Sequence, residues 1–101
     1  MSVEIRGVIK ERTFDNGELW RSFHCPGCKR RHTINQTWDF DGNYESPTFS
    51  PSVLTYGSPW EDVPRCHSFI RAGRIEFLSD STHELAGQTV GLPPFPADPQ
   101  R

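Results

Sequence analysis

A chain of 101 residues and 11.6 kDa has room for one domain. Eleven Lys and Arg against thirteen Asp and Glu leave a formal net charge of −2, which excludes a globally basic nucleic-acid clamp but not a local basic patch. Only 34% of the residues are hydrophobic, so the core is thin, and thin-cored small domains often recruit a metal or disulfides as a staple. No apolar stretch reaches the length of a membrane span, and residues 1–14 alternate polar with apolar instead of forming a signal-peptide core. The expectation is a soluble, unexported protein with no membrane contact.

In chain order, Val3, Ile5, Val8 and Ile9 alternate imperfectly with charged residues, as in one half-buried strand. Asn16-Gly17 lies between Arg12-Thr13-Phe14 and Leu19-Trp20-Arg21-Ser22-Phe23 and predicts a hairpin, because both turn residues tolerate positive φ. That hairpin leads into Cys25-Pro26-Gly27-Cys28. The β-branched and aromatic run from Thr33 to Phe40 predicts a strand, turned by Asp41-Gly42-Asn43. Pro47 and Pro51 confine residues 46–54 to an edge strand or an extended crossing. Residues 57–65 read as an exposed loop.

A second hairpin is expected from Cys66-His67-Ser68-Phe69-Ile70-Arg71 through Ala72-Gly73 into Arg74–Leu78. Ser81-Thr82-His83-Glu84 spells a capping box and Gly87 a stop, which predicts one short helix near residues 82–86. Gln88-Thr89-Val90 returns as a short strand. The fold class is therefore mainly β (small α+β), with antiparallel hairpins tied by a zinc knuckle. Residues 1–92 form a single domain and residues 93–101 a Pro-rich extended tail.

Three cysteines are an odd number and too few for a disulfide scaffold, so metal binding in a reducing compartment is favoured. A Cys-Pro-Gly-Cys turn brings both sulfurs to one side and aims backbone N–H groups at them. A structural Zn²⁺ needs four ligands. Cys66 opens the second hairpin and is the third. Alone it reads as a buried small hydrophobe; the Cys25/Cys28 pair is what promotes it. Neighbours on a strand face opposite ways, which argues against Cys66 and His67, or His24 and Cys25, holding one ion together. The expected ligands are Cys25, Cys28, Cys66 and His83, with His67 the alternative and His32 and Asp80 as further alternatives or supporting groups.

A thiol-redox site is disfavoured because no amphipathic helix follows the motif. A zinc deaminase is excluded by the reversed order of its signature. A small zinc-dependent hydrolase, with Asp80, Glu84 or His67 moving protons, is a weaker reading, since three thiolates make the ion a poor Lewis acid. No catalytic residue is assigned from the sequence. Between Glu18 and Asp39 there is no acid, while Arg21, Lys29, Arg30 and Arg31 all fall there. Beside Trp20, Phe23 and Trp38 this patch could meet phosphates or an acidic protein; as a solvated turn it would simply offset the thiolates. Trp60, in the Pro-bounded loop, is a separate partner-binding candidate.

His24-Cys25-Pro26-Gly27-Cys28, Pro47-Thr48-Phe49-Ser50-Pro51-Ser52, Cys66-His67-Ser68-Phe69-Ile70 and Arg74-Ile75-Glu76-Phe77-Leu78-Ser79-Asp80-Ser81-Thr82-His83-Glu84-Leu85-Ala86-Gly87-Gln88-Thr89-Val90 occur in that order. Over roughly residues 23–93 the chain resembles a family of small phage- and prophage-encoded proteins of unknown function. Some members are labelled "ammonia monooxygenase", a label at odds with a chain lacking a membrane span and an evident copper site. The resemblance implies a phage or prophage origin and work in the host cytoplasm. Many similar proteins have Cys where this chain has Ser81, so the resemblance implies that His83 or His67 substitutes for that ligand. The functional expectation is a zinc-binding accessory protein that binds a host macromolecule, most readily a protein. The alternative is a nucleic-acid-binding zinc module using Arg21 and Lys29–Arg31.

Overall fold

The structure is a computed structural model that describes residues 2–55 and 65–95. Among them, β1 (Ser2–Arg6), β2 (Ile9–Thr13), β3 (Leu19–Cys25) and β4 (Arg30–Asn35) form a four-stranded sheet. A second sheet holds β5 (Asp39–Phe40), β6 (Phe49–Thr55), β7 (Cys66–Arg71), β8 (Arg74–Phe77) and β9 (Thr89–Gly91). Both are antiparallel, and within each sheet every strand pairs with its neighbour in sequence.

Both hairpins expected from their turn residues are present. Gly17 sits at φ 94°, and the Asn16 side chain accepts from the Glu18 amide. Ala72 and Gly73 both take positive φ, as a two-residue turn of matching twist requires. The single strand expected over residues 3–9 is instead the hairpin β1–β2. Gly7 turns it at φ 57°, and a Cβ there would strike the Tyr44 carbonyl, so only glycine lets the two segments meet. The strand expected over residues 33–40 breaks after Asn35, whose side chain accepts from the Thr37 amide and hydroxyl and so favours a turn.

The short helix expected near residues 82–86 is not formed; no described residue is helical. Ala86 donates to the His83 carbonyl and Gln88 to that of Leu85, which close two successive four-residue turns. Thr82 donates to Arg65 and Gly87 back to Phe77, so tertiary partners take the bonds that a helix would need. Ser81 does not cap a helix. Its Oγ accepts from the His67 amide and donates to the His67 carbonyl.

Alternation along β2, β3 and β4 turns Ile9, Phe23, Cys25 and Ile34 inward. Phe23 stacks on Phe49 of the second sheet and Phe49 on Phe40, and this aromatic row joins the sheets. Cys25, Cys28 and Cys66 belong to the same buried cluster as Ile70, Ile75 and Phe77. No helix among the described residues is long and apolar enough to cross a membrane. Trp60 and tail residues 96–101 lie outside the described residues.

Candidate metal centre and serine–histidine–aspartate relay

Cys25 ends β3, and the turn after it carries Lys29 into positive φ, with the Lys29 amide donating to the Cys25 carbonyl. The Cys28 amide points at Cys25 Sγ, 3.3 Å away. Cys66 begins β7 and is 1% exposed. Ligand atoms of Cys25, Cys28, Cys66 and His83 all lie within 4.8 Å of one another. The Cys25 and Cys66 sulfurs are 3.9 Å apart, close to the edge of about 3.8 Å in a tetrahedron with metal–sulfur bonds of about 2.3 Å. All three cysteines are free of disulfides.

Two further observations fit a metal here. His83 Nε2 is buried with no hydrogen-bond partner, an unfavourable state for a polar atom unless something occupies it. A Cβ at Gly27 would run into the His83 ring, so the glycine of the Cys-Pro-Gly-Cys turn makes room for the fourth donor. The residues present fit a four-coordinate structural site.

The thiols divide their charge unequally. Cys25 is drawn down to about 4, chiefly by the hydrogen bond from Cys66, and neighbouring His32 also favours its thiolate. Burial and the Cys25 charge push Cys28 up to about 11. Cys66 is raised further, first by its hydrogen bond to Cys25 and then by burial. Without metal, one sulfur is therefore anionic and two hold protons at neutral pH. Metal binding must displace those protons, so affinity rises with pH. Calorimetric zinc titrations at pH 7 in buffers of differing ionisation enthalpy are expected to show release of about two protons from these thiols per metal; zero release would contradict this assignment.

His67 is turned away from the sulfurs, as strand alternation requires beside Cys66. Its Nε2 lies 3.1 Å from Ser52 Oγ on β6, and its Nδ1 lies 3.2 Å from Asp80 Oδ2. Asp80 also has the Arg65 guanidinium at 3.5 Å. With Asp80 accepting from Nδ1–H, the Nε2 lone pair faces Ser52, which donates its hydroxyl proton. Ser81 fixes the His67 backbone from the next residue after Asp80. The arrangement can deprotonate a serine hydroxyl and store the positive charge that results.

His32 is buried behind Phe23 and stands beside Cys25 instead of joining the four ligands. Arg21 points inward, 2.9 Å from Glu11 and over the Phe40 ring, and so leaves the basic patch. Lys29, Arg30 and Arg31 are exposed. No sequence spacing marks Ser52, because its partners come from two distant segments; its nearest signal is the Pro-Thr-Phe-Ser-Pro-Ser motif.

Residues 4–78 match the model of a family described as "bacterial ubiquitination-like system serine protease (BubE)". The match includes the N-terminal hairpin, which lies outside the resemblance read from the sequence, and its description carries an activity where that resemblance implied none. No curated protein and no solved structure matches the chain.

Proposed function

The chain belongs to the BubE family, and we propose that it is a serine protease with Ser52 as nucleophile, His67 as general base and acid, and Asp80 as the group that orients His67. The observation that carries this reading is the relay itself, Ser52 to His67 at 3.1 Å and His67 to Asp80 at 3.2 Å. Ser52 Oγ attacks the scissile carbonyl carbon while His67 Nε2 takes its proton. The imidazolium, stabilised by Asp80, returns that proton to the leaving amine as the C–N bond breaks. Water then attacks the Ser52 ester, giving up a proton through His67, and frees the acid product and the serine.

In this reading the macromolecular partner expected from the sequence is a polypeptide substrate. The family description points to a component of a bacterial ubiquitination-like system. The metal is zinc, favoured by three thiolates and one imidazole, and its role is structural, because four protein donors leave no open position. Three free thiols suit the reducing cytoplasm of a bacterial cell, host- or prophage-encoded alike.

Labelling with a fluorophosphonate probe, mapped by mass spectrometry, tests the nucleophile. The adduct is expected on Ser52 and is expected to disappear in His67→Ala. An adduct on another serine, or none in metal-loaded folded protein, would overturn the assignment.

A further inference from the structure

We infer that the outer face of the first sheet is the docking surface for the protease's own substrate, an extended polypeptide carrying acidic side chains. The inference rests on the serine-protease reading. Register places Val3 and Ile5 of β1, Lys10 and Arg12 of β2, Trp20 of β3 and Arg31 of β4 on this face. Both acids of these strands, Glu4 and Glu11, pair with each other across β1 and β2 on the opposite face. The outward strand positions therefore carry cations and no carboxylate. Val3 and Ile5 are each 47% exposed and Trp20 40%, so the face is also apolar; Phe14 packs edge-on against Trp20, and Phe95 lies 5.9 Å from the Lys10 ammonium at its border.

Two depressions share Trp20 and Thr33 and so form one groove across β2, β3 and β4. One is a notch of about 60 Å³ bordered by Lys10, Arg12 and Arg31. The other is a cleft of about 340 Å³ walled by Trp20 and Trp38, with Thr33 and Asn35 of β4 also lining it. The far wall leads to the proposed nucleophile, because the Trp38 indole donates at 3.1 Å to the carbonyl of Pro51, the residue before Ser52. A chain lying in this groove would place a carboxylate among the three cations and an apolar side chain between the two indoles. It would then pass toward Ser52. Arg31 and Asn35 lie four residues apart on β4, about 14 Å at strand spacing, so acid and apolar residue would be about four positions apart in an extended substrate.

Steering by three like charges on one face favours a partner of opposite sign. A long polyanion such as single-stranded nucleic acid would use the same cations, but it would also run over a molecule of net charge −2. A peptide with local acids meets only the patch.

The test uses full-length, zinc-loaded Ser52→Ala protein and fluorescence anisotropy. A labelled short peptide mixing Glu and Leu is expected to bind at least about tenfold more tightly than its Lys/Leu counterpart, and to weaken as salt rises. Adding Lys10→Glu, Arg12→Glu and Arg31→Glu together is expected to reverse the preference, with circular dichroism and zinc content confirming that the variant is folded. Equal binding of both peptides, no effect of the charge reversal, or preferential binding of a labelled oligonucleotide would each overturn the proposal. Fluorophosphonate labelling of wild-type protein separates the two readings: without an adduct on Ser52 the protease reading fails, whereas an adduct without peptide preference sinks the docking surface alone.

Discussion

Ser52→Ala is expected to lower kcat/KM for peptide hydrolysis by about 10³–10⁴-fold while leaving zinc content and the thermal transition close to wild type. The side chain is half-buried, and its described partner is His67, so its removal leaves the sheet bonds of β6 intact. His67→Ala is expected to fall as far, and the double variant no further, because the two groups act as a unit. Asp80→Asn is expected to cost less, about 10²–10³-fold. Its carboxylate is partly exposed and already shares charge with Arg65, so it contributes less to holding the imidazolium than a buried carboxylate would. Steady-state kinetics on a fluorogenic peptide, with zinc measured on the same samples, checks the series. Additive losses in the double variant would refute the relay.

Cys66→Ser is expected to release the metal and to lower the melting temperature by about 10–25 °C, corresponding to a loss of about 3 kcal/mol or more in a domain of this size. Cys66 is 1% exposed and supplies one of the three sulfurs of the site, and a serine hydroxyl in its place is a poor zinc ligand, so the variant leaves the buried site one donor short. Gly27→Ala is expected to act in the same direction by forcing His83 off the site. Activity should disappear with the metal although no cysteine touches Ser52. Cys66 is the residue before His67, and His83 follows Asp80 by three, so the metal ligands brace the segments that carry the base and its orienting carboxylate. Chelation followed by zinc addition, read by calorimetry and by Ser52 labelling, checks this; an apo protein with unchanged melting temperature would contradict it.

Much of this molecule is local. Gly17 and Gly73 encode the two hairpins through backbone freedom at the turn, while Ala72 takes a positive φ that its Cβ disfavours, and the Cys-Pro-Gly-Cys spacing brings two sulfurs together without help from the rest of the chain. Alternation from Cys66 to His67 sends the two side chains to different tasks. For these reasons the two hairpins and the three sulfur donors are legible before any tertiary structure is considered, with His83 the expected fourth donor and His67 its alternative; the break of the 33–40 strand after Asn35 and the inner place of β6 between β5 and β7 are not.

Other features are decided only by contacts between distant segments. The capping-box spelling at residues 81–84 describes a helix start, but the competing partners are remote: Arg65 takes the Thr82 amide, His67 takes the Ser81 hydroxyl, and the cysteines draw in His83. Arg21 reads as surface charge in a basic interval, yet strand register places it opposite Glu11. Ser52 is one serine in a Pro-rich stretch until the second sheet brings β6 beside β7. Thus turn chemistry, strand alternation and the metal-ligand types were determined by the sequence itself, since each depends on residues within a few positions. The relay of Ser52, His67 and Asp80 and the charge sorting of the first sheet belong to the tertiary structure, because each depends on which strands become neighbours.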